Sequence, residues 1–117
     1  MLQLGHKKLP VWQKSIDLVT EIYKLTNTFP QTELYGLTNQ ISRASISVTA
    51  NIAEGASRSH SNDRKRFYKI SRSSLVEIDA HFRISIELGF LKKEQLADLS
   101  MNINEVFALL SSMIRRT

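Results

Sequence analysis

Three histidines are the side chains of this 117-residue sequence best suited to acid–base chemistry at neutral pH. His6, His60 and His81 are far apart along the chain. Only His81 has a carboxylate, Glu77, four residues away, a spacing that puts both side chains on one side of a helix. This spacing predicts one ion pair, and we interpret His81 as a histidine at the edge of an apolar helix face rather than a catalytic base.

Other signatures of catalysis or cofactor binding are not found in the sequence. There are no cysteines, which excludes disulfides, thiolate metal sites and a cysteine nucleophile. The run EGASRSHSN, residues 54–62, lacks the Gly-Lys pair of a phosphate-binding P-loop, and no Glu-x-x-His pair of a di-iron bundle occurs. The sequence therefore predicts a protein that is not an enzyme, with no cofactor and no metal site.

Positive charge is concentrated in residues 56–76. This segment has six cations and a single acid, Asp63, whereas the remaining chain has ten cations and ten acids. The six are Arg58, Arg64, Lys65, Arg66, Lys69 and Arg72. Such a cluster favours an anionic partner, and we predict contacts to the phosphates of RNA or of a nucleoprotein. A solvated basic face that keeps the protein soluble is the alternative, and the sequence leaves both open.

Polar residues also recur at spacings of three and four before this cluster. They are Gln40, Arg43, Ser47, Asn51, Glu54 and Arg58. Periodicity alone favours a solvated helix face, on which Glu54 and Arg58 form an ordinary (i, i+4) ion pair. A hydrogen-bonding interface with another subunit or with RNA is the other interpretation.

The elements that position these residues are helices, because apolar residues recur at helical spacing and no segment has the pattern of a strand. We predict four helices: Pro10 to Thr28; Thr32 as N-cap through to Gly55 as the C′ residue; Ser61 or Asn62 to Leu88, with Gly89 as the stop; and Lys92 to Arg115. In the third helix we place Phe67 in the core and consider Tyr68 as a weak candidate for base stacking.

Short connections make consecutive helices antiparallel neighbours, so we predict an all-α fold, an antiparallel up-down-up-down four-helix bundle. Residues 1–9 form an N-terminal arm, and residues 10–117 form the single bundle domain. The apolar residues of the first helix cover about half its circumference, more than one bundle face requires, which suggests a subunit contact. The sequence has no apolar run long enough for a membrane span, and we expect a cytoplasmic protein with no membrane partner.

The segments 11–58 and 66–80 resemble bacterial four-helix-bundle proteins first noticed in intervening sequences of 23S ribosomal RNA genes. The landmarks are Val11-Trp12-Gln13, Phe29-Pro30, Glu33-x-Tyr35-Gly36-Leu37, Gln40, Arg43-Ala44, Asn51-Ile52-Ala53-Glu54-Gly55, Arg58 and Arg66-Phe67. The resemblance extends over about residues 8–114, although the fourth helix matches only in its pattern. The family often has Arg-Arg before the alanine, and here Ser42 takes the first position.

This resemblance implies a bundle that assembles into a homo-oligomer, typically a ring-like pentamer, with no established catalytic activity. The family is similar in fold to accessory proteins of diversity-generating retroelements, so RNA binding is a family-level expectation. Five residues of the polar stripe, Gln40, Arg43, Asn51, Glu54 and Arg58, are motif positions. The resemblance therefore favours an assembly role for them, with Glu54 paired to Arg43 or Arg58 in a partly buried network. The alternative function is a protein–protein interaction scaffold without nucleic-acid binding.

Overall fold

A computed structural model describes all 117 residues and contains four long helices and no strand. The helices are α1 (Pro10–Thr26), α2 (Leu37–Ala56), α3 (Ser61–Glu87) and α4 (Ala97–Arg116). Single 3₁₀ turns at Gly5–Lys8, Gln31–Glu33 and Lys93–Leu96 precede α1, α2 and α4. The all-α prediction is confirmed, and the predicted helix positions agree with the structure except at the ends discussed below.

Contacts between the helices show that neighbours run antiparallel. The Thr49 hydroxyl of α2 donates to Ser15 of α1, and the Ser71 hydroxyl of α3 donates to the Val48 carbonyl of α2. In α4, Glu105 pairs with Lys14 while Asn102, earlier in α4, meets Glu21, which comes later in α1. Each helix packs on the next and α4 returns to α1, so the predicted up-down-up-down bundle is the observed architecture.

The core between the four helices is apolar, and every helix contributes to it. Its side chains are mostly aliphatic, with a few aromatic rings among them. Its fully buried large members are Leu18, Ile22, Ile41, Ile52, Leu75, Ile78, Leu99 and Leu110. Side chains of this kind each contribute about 1.5–3 kcal/mol when removed from water, so the core is the main source of stability. The polar residues at its edge are mostly serines and threonines whose hydroxyls have hydrogen-bond partners.

The α2–α3 interface is the most extensive of the four, because small residues line both sides. The Ser71 hydroxyl donates to the Val48 carbonyl over 2.8 Å, and the Ser74 hydroxyl meets the Ser47 hydroxyl at 2.9 Å. Ser74 and Ser85 also bond back to carbonyls one turn earlier in α3. Serines of α3 therefore bridge to α2 and also bond back to their own helix.

Two helix ends follow the sequence predictions. Gly89 has φ +80° and ends α3 with the paired hydrogen bonds of a Schellman motif, from Gly89 N–H to the Ile86 carbonyl and from Phe90 N–H to the Ser85 carbonyl. The Glu33 carboxylate accepts a hydrogen bond from the N–H of Leu37, the first residue of α2. At this position the negative charge of Glu33 also interacts favourably with the helix dipole.

Other predicted ends are wrong. Thr32 lies in the 3₁₀ turn before α2, and Gly36 is the N-cap residue instead. His60 takes the N-cap position of α3 without a capping side-chain hydrogen bond, so neither Ser61 nor Asn62 does. Gly55 is not a C′ residue, because it lies within α2 and has no positive φ.

Gly55 instead allows α2 to approach α3 closely. A Cβ at this position would lie 2.7 Å from Cε1 of Tyr68 and 3.0 Å from Cβ of Phe67, both shorter than ordinary van der Waals contacts. Tyr68 is buried and Phe67 is half-buried, which reverses the predicted placement of Phe67 in the core. α3 is therefore rotated slightly about its own axis relative to the orientation that the sequence pattern indicated. The Tyr68 ring fills the space that Gly55 leaves open.

We therefore expect Gly55→Ala to destabilise the protein. Overpacking costs about 1–3 kcal/mol, and the better helix propensity of alanine returns up to about 1 kcal/mol. The net loss in the free energy of unfolding, measured by urea denaturation, should be about 1–2 kcal/mol. Gly5→Ala is the control, since nothing lies within 4 Å of its added Cβ. A Gly55→Ala protein as stable as the wild type would contradict the close-contact interpretation.

Candidate nucleic-acid interface

The six cations of the basic cluster do not form one equivalent set, because the fold gives several of them intramolecular partners. Arg64, in the first turn of α3, donates to the carbonyls of Arg58 and Ser59 at 3.2 and 2.8 Å. These two bonds hold the turn between α2 and α3 in place. Arg64 therefore has a structural role, whatever else it contacts.

Arg58 and Arg66 both lie against the Phe67 ring. Their guanidinium carbons are 4.8 and 4.7 Å from the ring centroid, within the range of a cation–π interaction. Arg58 also donates to the Glu54 carboxylate at 2.9 Å, in the (i, i+4) pair that the sequence predicted. About half of each partner's side chain is exposed, so this pair contributes a few tenths of a kcal/mol at most.

Arg72 points toward α4 and, unlike its neighbours Lys65 and Lys69 on α3, it contacts that helix. Its guanidinium donates to the Ser111 hydroxyl at 3.1 Å and lies 5.7 Å from the centroid of the Phe107 ring. These contacts fasten α3 to α4. Helical spacing puts Arg72 on the same side of α3 as Lys65 and Lys69, and its contacts place it at the α4 edge of that side.

Arg66 forms no ion pair or hydrogen bond within the chain and contacts only the Phe67 ring, and Lys65 and Lys69 have no partner of any of these kinds. Together with Arg66 they line an open cleft of about 590 Å³ on the outer side of α3. The other lining residues are Asn62, Ile70, Ser73, Ser74 and Glu77. Three cations and a single carboxylate make this cleft attractive to an anion, and its hydroxyl and amide groups offer further hydrogen-bond donors.

Tertiary structure extends the positive charge beyond this segment. The half of the bundle containing residues 1–16, 47–74 and 105–117 holds eleven of the sixteen cations and three of the eleven acids. The opposite half holds five cations and eight acids, so the charges of the halves are +8 and −3. We call the positive half the basic end. Its additional cations, which the sequence analysis did not single out, are Lys7, Lys8, Lys14, Arg115 and Arg116.

The polar stripe of α2 faces the α3 side and the solvent. Asn51 donates to the carbonyl and the hydroxyl of Ser47 at 2.8 and 3.0 Å, and Ser74 of α3 joins the same group. Gln40 and Arg43 line a shallow cleft with Ser47 and Glu77. Arg43 is exposed and forms no ion pair within the chain.

Glu54 and Arg43 do not meet in one chain. Eleven residues of α2 separate them, a distance of about 16 Å along the helix. Glu54 pairs with Arg58 alone, and both side chains are too exposed for a buried network within the subunit. Any network that joins Arg43 to Glu54 therefore requires a second subunit.

The histidines are not brought together. His81 and Glu77 form the predicted pair, with 3.2 Å between Nε2 and the carboxylate. His6 packs edge-on against Trp12 with ring centroids 5.0 Å apart, and His60 is exposed in the turn before α3. No group of three or more His, Asp or Glu side chains is placed to hold a metal ion.

The fold perturbs the ionisation of Tyr68. Burial raises the pKa of its phenol above the ordinary value of 10.0, and the positive charge of Arg64 partly offsets this. The buried ring is not available as a base-stacking platform. Its position in the α2–α3 interface gives it a packing role instead.

The fold and the surface define an antiparallel helical bundle with one strongly basic end. Residues 7–112 match the model of the 23S rRNA-intervening sequence protein family. The chain belongs to this family, as the resemblance of its motifs indicated.

One solved structure supports the fold independently. It is a crystal structure of a protein with unknown function from the S23 ribosomal protein family of Bacteroides thetaiotaomicron. The two chains are 23% identical and superpose with a TM-score of 0.81 over 89% of this chain and 97% of that one. No curated protein matches the chain significantly. None of its helices combines the length and apolar character needed to cross a membrane.

The raised pKa of Tyr68 makes the stability of the fold sensitive to alkaline pH. The folded protein holds the phenolic proton more tightly than the unfolded chain does. The contribution of Tyr68 to the free energy of unfolding is therefore complete below about pH 10 and is lost as the pH rises through the raised pKa. Wild type and Tyr68→Phe are compared by ultraviolet titration. The phenol ionisation that is present in the wild type and absent from the variant should occur above pH 10. An ionisation at or below pH 10 would contradict the burial of the phenol.

Proposed function

We propose that this protein is a non-enzymatic, self-associating helical bundle of the cytoplasm that binds RNA through the cleft of Lys65, Arg66 and Lys69. The observation that carries the proposal is the position of these cations and their lack of ionic partners within the chain. They lie together on the outer side of α3, none of them forms an ion pair within the chain, and the cleft between them is open. Contacts of this kind bind phosphates without reading base sequence.

Several features of the cluster agree with a binding surface rather than a merely solvated face. Arg66 lies against the Phe67 ring, so less side-chain freedom would be lost when its guanidinium contacts a phosphate. The α3 backbone is a rigid support for all three cations. A nucleoprotein whose RNA is exposed would present the same phosphates.

Self-association has support on another side of the bundle. The surplus apolar residues of α1 are exposed beside α2: Ile16 and Tyr23 are 37% and 45% exposed, and Ile46 of α2 is 49% exposed. We call this surface, with Ala50, the α1–α2 face. It has no charged residue of its own, whereas Arg43 and Glu54 border it along α2. A second copy could cover the face and pair its Glu54 with Arg43.

The same face supports the alternative function, a protein-interaction scaffold that does not bind nucleic acid. Exposed apolar side chains on two adjacent helices are typical of a surface that another helix or subunit covers. The alternative would be favoured if the wild-type protein self-associates and fails to bind RNA.

By the family resemblance we propose that the homo-oligomer is a ring-like pentamer.

RNA binding is tested with Lys65→Glu/Lys69→Glu and an RNA hairpin in fluorescence anisotropy over a salt series. Arg72 is left unchanged because it fastens α3 to α4. We expect affinity at least about tenfold lower and a salt slope smaller by about 2, since two phosphate contacts are lost. The control is Lys24→Glu/Lys93→Glu, which makes the same charge change in the opposite half. Equal affinities and slopes for wild type and the Lys65/Lys69 variant would contradict the proposal.

Self-association is tested by light scattering after size-exclusion chromatography. We expect five chains for the wild type and smaller species for Arg43→Glu, because like charges would then meet at the subunit contact. The charge swap Arg43→Glu/Glu54→Arg should restore the larger species, and Lys93→Glu should leave it unchanged. A monomeric wild type, or an Arg43→Glu protein of wild-type mass, would overturn the assignment of this contact.

A further inference from the structure

The carboxyl end of α4 lies beside the cationic cleft, although 40 or more residues separate the two in sequence. Arg72 of α3 meets Ser111 of α4, and the two helices run antiparallel. One turn further along α4 is Arg115, which is therefore level with residues 65–69 of α3. Arg115 and Arg116 are exposed and have no acidic partner. Arg115 lies about 40° round α4 from Ser111 and continues the free positive charge from α3 onto α4, whereas Arg116 lies about 140° round and faces away from α3.

The aromatic rings of the basic end are all engaged by the protein itself. Tyr68 is buried, Trp12 is half-buried and packs against His6, and arginine guanidinium groups lie over the rings of Phe67 and Phe107. Proteins that bind single strands without sequence preference usually combine a basic groove with free aromatic rings on which bases stack. The basic end offers the cations without the free rings.

We propose that the ligand of this surface is double-helical RNA, bound through its phosphates by two adjacent walls. One wall is the α3 cleft with Lys65, Arg66 and Lys69, and the other is the end of α4 with Arg115. This inference rests on the proposed RNA binding and deepens it by naming the form of RNA and a second set of contacts.

A duplex fits these walls for physical reasons. Its bases are stacked internally, so it needs no aromatic partner, and its phosphates lie at fixed positions that rigid helix-borne cations can meet. Recognition by charge alone also predicts that the base sequence of the duplex has little influence.

The experiment uses the full chain and three RNA probes: a 16-base-pair duplex, a duplex of the same composition with scrambled sequence, and the single strand of the first. Affinities are measured for wild type, Arg115→Glu/Arg116→Glu, Arg115→Gln/Arg116→Gln, Lys65→Glu/Lys69→Glu and the control Lys24→Glu/Lys93→Glu. Circular dichroism confirms that each variant keeps its helices. The glutamine variant removes the two charges without adding repulsion at the carboxyl end of α4.

We expect the wild type to bind both duplexes within about threefold of each other and at least about tenfold more tightly than the single strand. Each arginine variant should bind the duplex at least about fivefold more weakly than the control variant, with a smaller salt slope.

If the arginine variants bind like the control while the lysine variant is impaired, the α4 wall is excluded and RNA binding through the α3 cleft remains. Tighter binding of the single strand, or a strong preference for one duplex sequence, overturns the assignment of a phosphate-bound duplex. If the wild type binds none of the three probes, RNA binding itself is wrong.

Discussion

The close approach of α2 to α3 is the contact on which the basic surface depends. Gly55 leaves no room for a Cβ beside Tyr68, and serine hydroxyls bridge the two helices along the same seam. Because Tyr68 turns into the core here, Phe67 lies at the surface, where Arg58 and Arg66 pack over it. The orientation of α3 about its axis thus determines which cations reach solvent.

Intramolecular contacts then divide the cations into structural and free ones. Arg64 holds the α2–α3 turn through two backbone carbonyls, and Arg72 joins α3 to α4. Lys65 and Lys69 have no such partner, and Arg66 contacts only an aromatic ring. A count of charges in the sequence treats all these residues alike, whereas their ability to bind a ligand differs.

Binding and assembly would use different sides of the bundle. The cationic cleft and the carboxyl end of α4 belong to the α3–α4 side, and the exposed apolar residues Ile16, Tyr23 and Ile46 belong to the α1–α2 side. A subunit contact on the α1–α2 side would leave the carboxyl end of α4 open in each copy. Its Arg43–Glu54 pair would border the cationic cleft, because Glu77 lines both that cleft and the cleft of Arg43. Membership of the family defines the fold of the chain, and the individual surfaces provide the arguments about function.

The sequence by itself determined the number of helices, their approximate ends, the antiparallel order and the family, because helical periodicity, short connections and specific motifs are local signals. Its errors at Thr32, Gly55 and Phe67 arose where tertiary packing overrides local preference. A glycine after an apolar run resembles a helix stop, and only the neighbouring Tyr68 ring shows that it serves close contact.

Only the tertiary structure decided how distant charges combine. The remainder of the chain is neutral in sequence, yet the antiparallel arrangement brings Lys7, Lys8, Arg115 and Arg116 to the half that already holds the basic cluster. It also showed that Arg43 and Glu54, on one helix but about 16 Å apart, can pair only between subunits. Electrostatic potential sums charges by distance in space rather than separation in sequence, so the basic end emerges only when the helices pack.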